Sequence, residues 1–234
     1  MSLILCIDTA QTEAGIYLGE NGRMLDFSAN SLQQDHASWI HVAIQDLFER
    51  QGKKLKDLSA VAVVEGPGSY TGLRVGMATA KGLCYALGIP LITENTLKAM
   101  AAGFLFQEKE FLAKISANTN ANNFLLAPMI DARRMEVFTA VYNLNLDVEL
   151  IPQPLVLSPN SYTEFLNEIK IFFFGSGSIK WKNICNHSNA NFVATSMSGD
   201  ALVSLCNEKF LKNEFAILTY SEPVYLKEFY IHHK

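Results

Sequence analysis

A glycine-rich segment between an apolar run and a helical pattern is the part of the sequence best suited to chemistry. At such a turn the backbone N–H groups and the positive end of a helix dipole can bind a phosphate or a carboxylate. The spacing lacks the lysine of a P-loop after Gly72, and the dinucleotide pattern would need a glycine at Thr71. A tight turn that starts a helix is therefore the first interpretation, and anion binding is the alternative. The motif residues are Gly66, Pro67, Gly68, Ser69, Thr71 and Gly72.

Carboxylates and histidines are spread along the chain without a spacing that pairs them for catalysis or metal binding. His36 and His41 are five residues apart, about 140° around a helix, so they make a poor metal pair. Asp8 and Asp131 each end an apolar run, but nothing in the spacing pairs an acid with a base. The four cysteines are widely spaced and form no C-x-x-C pair. We predict no catalytic residue, no metal site and reduced cysteines.

The helix that follows the glycine-rich turn carries small residues at every fourth position. Each glycine costs a helix about 1 kcal/mol relative to alanine, so a close contact with another element must compensate. That element is either the helix predicted over 35–50 or a pair of helices from a partner, and the sequence leaves both open. The stripe is Gly72, Gly76 and Ala80, with Ala78, Gly82 and Ala86 nearby.

The composition is that of a folded protein with an acidic surface. The chain has 234 residues, 49% of them hydrophobic, and its 19 basic and 23 acidic side chains give a net charge of −4. Proteins that bind a phosphate backbone by themselves usually carry a basic patch and a high pI, so tight nucleic-acid binding by this chain alone is not favoured. The first apolar run reaches Asp8 too soon for a signal sequence or a membrane span. We predict a cytoplasmic protein with no membrane contact.

The elements that position these residues begin with three short strands. Asn21-Gly22 is a strong tight-turn signal between the second and the third, so the strands are predicted to be antiparallel. Helices and strands then alternate, which predicts an α/β unit with a mixed sheet and helices on its faces, as in a ribonuclease-H-like domain. The predicted strands are 3–8, 15–18, 23–28, 60–64 and 91–93, and the predicted helices are 35–50, 72–87 and 97–106.

The opening pattern returns in the second half of the chain, which indicates two similar domains. An apolar run ends at Asp131 and is followed by another, much as the first run ends at Asp8. We place one domain at 1–100 and a second at 101–234, whose last helix is free to pack back on the first. Ser158 is predicted to cap a helix. The strands of this half are predicted at 125–130, 137–142, 148–151, 155–157, 171–174 and 191–193, and the last helix at 199–211.

The glycine-rich motif, together with several shorter segments, resembles the bacterial TsaB family, also called YeaZ. The likeness runs through most of the chain and is weakest over 144–215. It implies an actin-like (ASKHA) fold of two ribonuclease-H-like domains, each a mixed sheet flanked by helices. The segments that carry the resemblance are Ile7–Thr9, Asp35–Ser38, Gly66–Gly76, Ala80–Leu83, Asp131–Arg133 and Pro223–Leu226.

The resemblance implies a non-catalytic subunit of the machinery that makes threonylcarbamoyladenosine in tRNA. Such a subunit binds its catalytic paralogue TsaD, and with it the ATPase TsaE, and meets tRNA only within that complex. The complex modifies the adenosine next to the anticodon of tRNAs that read codons beginning with A. Catalytic relatives carry two metal-binding histidines on one helix, and their positions fall on Thr96 and Met100 here. No metal, no cofactor and no catalytic residue are therefore expected.

The nucleotide loops of actin-like kinases are reduced in this chain. The first loop of such kinases reads Asp-x-Gly-Thr/Ser, whereas Ala10 stands here at the glycine position, and without glycine the backbone approaches a phosphate less closely. An M22-type metallopeptidase-like enzyme and an independent actin-like kinase or ATPase stay open as alternatives. The vestigial loop residues are Asp8, Thr9, Asp131, Gly175 and Gly177.

The resemblance also implies that the helices over 35–50 and 72–87 pair with the equivalent helices of TsaD. In the isolated protein the same face would be exposed, so we expect a homodimer that competes with the heterodimer. The predicted interface residues are His36, Trp39, Ile40, Ala43, Gly72, Val75, Gly76, Met77, Ala80 and Leu83.

Overall fold

The computed structural model describes residues 1–31, 36–108, 124–195 and 197–227 of the chain. Their contacts divide the chain into two compact units. Unit 1 combines 1–106 with 197–224, and unit 2 combines 107–196 with the residues from 225 onward. Unit 1 is thus built from two separate stretches of the chain.

The strands and helices form two sets along the chain. The strands are β1 (Leu3–Asp8), β2 (Ala14–Glu20), β3 (Arg23–Asn30), β4 (Ala60–Gly66), β5 (Leu91–Asn95), β6 (Phe124–Asp131), β7 (Glu136–Tyr142), β8 (Val148–Val156), β9 (Lys170–Phe174) and β10 (Ala190–Phe192). The α-helices are α1 (His36–Arg50), α2 (Tyr70–Leu87), α3 (Thr96–Gln107), α4 (Thr163–Leu166), α5 (Ser178–Lys182) and α6 (Gly199–Leu211). None of the helices described here is both long enough and apolar enough to cross a membrane.

Unit 1 contains a five-stranded sheet in the order β3-β2-β1-β4-β5. The first three strands are antiparallel, as the sequence predicted, and β4 and β5 continue the sheet parallel to β1. β1 and β4 are apolar and almost entirely buried, because helices cover both faces of the sheet. α1 and α2 pack on one face, and α3 and α6 pack on the other.

Unit 2 repeats this topology with a second five-stranded sheet. Its order is β8-β7-β6-β9-β10, with β6, β7 and β8 antiparallel and with β9 and β10 parallel to β6. Trp181 of α5 is completely buried in its core, and the indole Nε1 donates a hydrogen bond to the Ser158 carbonyl oxygen at 3.1 Å. The predicted actin-like fold of two ribonuclease-H-like halves is confirmed.

Two details of unit 2 differ from the sequence prediction. The two strands predicted at 148–151 and 155–157 form the single strand β8, which tolerates Pro152 and Pro154 because an edge strand does not need their missing N–H groups. Ser158 does not cap a helix, since α4 begins only at Thr163 with Tyr162 at its N-cap, and Ser158 forms a turn with Ser161 instead. The helix α5 directly follows the glycine turn.

Candidate functional site

The glycine-rich loop is joined to the turn that follows β1. The Ser69 N–H donates to the carbonyl oxygen of Ala10 at 2.7 Å, and the Thr9 hydroxyl donates to the carbonyl oxygen of Gly72 at 2.7 Å. The Ser69 hydroxyl oxygen also accepts the Gly72 N–H at 3.3 Å and caps α2. The loop and the turn therefore form one hydrogen-bonded joint.

The glycines of the motif are required by close contacts inside the chain. A Cβ at Gly68 would collide with the carbonyl oxygen of Ala10, and a Cβ at Gly72 would collide with that of Thr9. A Cβ at Gly76 would collide with the Thr9 hydroxyl. The turn after β1 lies directly against these glycines, so they allow the close packing of the loop and α2 on that turn.

The other end of the loop is covered by the carboxy-terminal segment of unit 1. The Val224 N–H donates to the carbonyl oxygen of Glu65 at 2.7 Å. Gly66 has a φ of 126°, a conformation that side-chain-bearing residues rarely adopt, and a Cβ there would lie 2.5 Å from the Val224 carbonyl oxygen. Pro67, the next motif residue, is buried, whereas Thr71 is exposed at the first turn of α2.

Asp8 lies at the carboxyl end of β1 and is buried. One carboxylate oxygen accepts the Ala10 N–H at 2.9 Å. Burial raises the pKa of Asp8 to about 6, and the hydrogen bond from Ala10 opposes part of that rise. The part of the chain that the structure describes contains no group of three or more His, Cys, Asp or Glu side chains that could hold a metal ion. Asp8 is therefore a buried carboxyl group that belongs to no such cluster.

The corresponding aspartate of unit 2 has a different environment. Asp131 is exposed, and its carboxylate accepts hydrogen bonds from Lys180 Nζ at 2.7 Å and from the Arg133 N–H at 2.6 Å. Partial burial raises the pKa of Asp131, but these bonds outweigh that effect and hold the pKa below its ordinary value. Gly175, with a φ of 91°, and Gly177, pressed against Val137, form the tight turn before α5.

The helix α2 presents its predicted small-residue stripe to its own sheet. A Cβ at Gly76 would lie 3.4 Å from Ile7 Cγ2 and 3.4 Å from Val63 Cγ2, besides its collision with Thr9. Ala80 packs in the same core. The stripe thus lies against the turn after β1 and in the core that α1 and α2 share with the sheet, not on the outer surface.

The predicted interface residues divide into inward and outward positions. Six of the ten are buried in unit 1, where they pack under the helices. Trp39, Val75 and Leu83 are partly exposed, and His36 begins α1 with its side chain outside the described residues. The six buried residues are Ile40, Ala43, Gly72, Gly76, Met77 and Ala80.

A second small-residue stripe lies on the outer face of α2. Ala78 and Gly82 are exposed, and a Cβ at Gly82 would meet no atom within 4 Å. Tyr85 follows with 84% of its surface exposed, and Val42 of α1 is 59% exposed. The interface residues predicted from the sequence did not include these four, although the repeat of small residues at Ala78, Gly82 and Ala86 indicated this side of α2. We call Val42, Ala78, Gly82 and Tyr85 the outer helix face.

The positions aligned with the metal-binding histidines of catalytic relatives lie on α3 inside unit 1. Thr96 and Met100 are both buried. Thr96 Oγ1 has no hydrogen-bond partner among the described residues. A hydroxyl and a thioether in a closed core are poor ligands for a catalytic metal.

Comparisons with known proteins agree with this geometry. A family model described as "TsaD: tRNA N6-adenosine threonylcarbamoyltransferase" matches residues 30–163, more than half of the chain. The tRNA threonylcarbamoyladenosine biosynthesis protein TsaB of Escherichia coli is 28% identical over 232 residues, which cover 96% of this chain and 94% of that protein. TsaB of Bacillus subtilis is 32% identical over 141 residues, which cover 59% of this chain and 54% of that protein. The solved structure of YeaZ from Pseudomonas aeruginosa superposes with a TM-score of 0.78 at 23% identity, over 97% of this chain and 100% of that chain.

Proposed function

Because this chain belongs to the TsaD family and, within it, to the TsaB group also called YeaZ, we propose that it serves the synthesis of threonylcarbamoyladenosine in tRNA as a non-catalytic subunit. Its partner is the catalytic paralogue TsaD, and through TsaD it works with the ATPase TsaE. The complex modifies the adenosine next to the anticodon of tRNAs that read codons beginning with A. The chain meets tRNA only within this complex, in the cytoplasm.

The observation that carries the proposal is the exposed glycine on the outer helix face. Gly82 lies in the interior of α2, where glycine costs about 1 kcal/mol relative to alanine. Apart from its chain neighbours and the backbone of its own helix, no atom of the described residues comes within 4 Å of the position of a Cβ at Gly82, so no contact among them requires a glycine there. A helix from another molecule, packed against Ala78 and Gly82, would require a glycine at position 82, because a larger side chain would block its approach.

The outer helix face suits a pair of helices from a paralogue. Small residues let two helix axes approach to about 8 Å, the lower end of the usual interaxial range. Tyr85 of α2 and Val42 of α1 are large exposed side chains that can enter the gaps between a partner's side chains, as aromatic anchors do in interfaces. The TsaD family model covers both α1 and α2, so the catalytic paralogue has the equivalent helix pair to offer.

The same face supports self-association when TsaD is absent. A two-fold pairing of α1 and α2 with the same helices of a second copy would cover the exposed Tyr85 of both molecules. One face cannot bind a second copy and TsaD together, so the homodimer and the heterodimer compete.

Two features support a subunit without chemistry of its own over the two enzymatic alternatives. A metallopeptidase needs the histidine pair, and Thr96 and Met100 occupy those positions in the core. A kinase or ATPase needs an open phosphate loop, whereas the turn at Thr9 and Ala10 packs against the glycine-rich loop. No cofactor is therefore proposed.

The experiment that tests the proposal is gel filtration with light scattering of this protein, alone and mixed with TsaD from the same organism. We expect a homodimer that converts to a one-to-one heterodimer. Gly82→Arg should abolish both species, because a charged side chain would stand where the partner helix approaches. Asn167→Arg adds the same charge at an exposed position of unit 2 and should change neither.

The proposal fails if the wild-type protein forms no complex with TsaD at micromolar concentration. If Gly82→Arg binds TsaD as tightly as the wild type does, the interface does not lie on the outer helix face. Gly76→Arg is unsuitable for this test, since Gly76 contacts Thr9 and the variant would damage the fold itself.

A further inference from the structure

The hairpin that joins β6 to β7 in unit 2 carries two adjacent arginines in left-handed backbone conformations. The φ angles of Arg133 and Arg134 are 68° and 48°. Residues with large side chains rarely adopt this region, and tight hairpin turns prefer Asn-Gly. The chain itself uses Asn21-Gly22, with φ angles of 51° and 79°, for the turn between β2 and β3. The turn geometry therefore does not explain why arginine stands at 133 and 134.

This arginine turn is held rigidly by hydrogen bonds at its base. The Ala132 N–H donates to the Glu136 carbonyl oxygen at 3.0 Å, and the Arg133 N–H donates to the Asp131 carboxylate at 2.6 Å. Lys180 Nζ binds the same carboxylate and also donates to the Glu136 carbonyl oxygen at 3.3 Å. The backbone thus presents the two arginines in a defined position despite its unusual conformation.

The charges around the arginine turn leave a local excess of positive charge. Lys180 pairs with Asp131, and Lys227 pairs with the Glu136 carboxylate. The side chains of Arg133 and Arg134 are exposed, and neither guanidinium forms an ion pair within the described part of the chain. The turn and its two ion pairs thus contain four cationic groups and two carboxylates, whereas the net charge of the whole chain is −4.

We propose that Arg133 and Arg134 bind the phosphate backbone of the RNA on which the complex acts, an inference that rests on the proposed function. A guanidinium group binds a phosphate with two parallel N–H donors, and two such groups on a rigid turn can bind neighbouring phosphates. Since the rest of the chain is acidic, this contact is weak in the isolated protein. It adds to the affinity once TsaD holds the same RNA, because the second contact is then intramolecular.

The test replaces both arginines by residues that suit a left-handed backbone, as Asn21 and Gly22 do in the turn between β2 and β3. The double variant Arg133→Asn/Arg134→Gly removes both charges and suits the left-handed backbone, so its melting temperature should rise. We would measure the fluorescence anisotropy of a labelled, unmodified tRNA transcript titrated with the complex of this protein and TsaD, at several salt concentrations. We expect about tenfold weaker binding and a slope of log affinity against log salt that is shallower by about 1.5 to 2.

A matched control separates a local contact from a general charge effect. Lys54→Gln/Lys56→Gln removes the same two charges from exposed positions of unit 1 and should leave affinity and slope unchanged. Equal binding by the wild type and the Asn-Gly variant would overturn the proposal, as would an equal loss in the lysine control.

A failure of the RNA contact at the arginine turn can be distinguished from a failure of the proposed function. Light scattering of the same samples reports whether the complex with TsaD forms, and the arginine variant should form it as the wild type does. If no complex forms, the proposed function fails, and the titration is repeated with the isolated chain at low salt. In that case the difference in RNA affinity between Arg133→Asn/Arg134→Gly and Lys54→Gln/Lys56→Gln still decides whether the arginine turn binds RNA.

Discussion

The hydroxyl of Thr9 donates a 2.7 Å hydrogen bond to the carbonyl oxygen of Gly72 in the buried joint between β1 and α2. The same hydroxyl occupies the place that a Cβ at Gly76 would take. Thr9 therefore sets how closely α2 can lie on the sheet, and the inner stripe of small residues is needed for that approach. Gly76 faces inward and Gly82 is exposed on another side of α2, so substitution by alanine should lower the stability at Gly76 and raise it at Gly82.

Gly76→Ala is expected to destabilise the protein. The added methyl group would overlap the Thr9 hydroxyl and press on Val63 of β4, and such overpacking typically costs about 1–3 kcal/mol. The free energy of unfolding in urea, followed by circular dichroism, would show the loss. A variant as stable as the wild type would show that α2 can move away from β1 at little cost.

Gly82→Ala is expected to stabilise the isolated chain by about 1 kcal/mol, because alanine is the better helix former and the added methyl group meets no atom of the chain. The urea measurement should be made at low protein concentration, where self-association does not contribute. The same variant should weaken the complex with TsaD, since the methyl group would stand in the helix interface. Unchanged or tighter binding to TsaD would contradict the proposed contact.

Tyr85→Ala is expected to weaken the complex with TsaD at least tenfold while the free energy of unfolding changes little. Truncation of an aromatic anchor in an interface often costs 2 kcal/mol or more, whereas exposed side chains contribute only about 0.5 kcal/mol to folding. Tyr220 gives a matched control in unit 1, since it is 80% exposed and Tyr85 is 84% exposed. Calorimetric titration with TsaD should separate the two variants, and equal affinities would exclude Tyr85 as an anchor.

Asp8→Asn is expected to stabilise the protein at neutral pH and not at acidic pH. Burial raises the pKa of Asp8 from 3.8 to about 6, so between these values the folded state binds the proton more tightly than the unfolded state. The contribution of Asp8 to stability therefore falls as the pH rises through this window, by up to about 3 kcal/mol. Asparagine removes the buried charge and can still accept the Ala10 N–H. Urea unfolding at several pH values would check this, with Asp46→Asn on the exposed surface of α1 as the control.

Thr96→Val is expected to raise the free energy of unfolding by about 1 kcal/mol. The Thr96 hydroxyl is buried without a hydrogen-bond partner among the described residues, and valine has the same shape without the polar atom. Thermal and urea unfolding would both report the gain. A loss of stability would instead indicate that a buried water molecule satisfies the hydroxyl.

Much of the fold could be predicted from the sequence because hydrophobic periodicity acts locally. The apolar runs at β1 and β4 identified strands that are buried on both faces, and the repeat around Asp8 and Asp131 indicated two similar halves. The errors lie where tertiary context overrides a local signal. Ser158 has the residue type of a helix cap, but the core around Trp181 uses its carbonyl group in another way.

The candidate site shows the same division between sequence and tertiary structure. The sequence by itself determined that α2 is a helix rich in small residues, that a glycine-rich turn precedes it, and that no histidine stands at Thr96 or Met100. It could not decide which stripe of α2 faces inward, because Gly76 and Gly82 belong to two similar stripes on different sides of one helix. Only the tertiary structure decided this, since the turn at Thr9 leaves room for the Gly76 side alone and turns Gly82 and Tyr85 toward the surface.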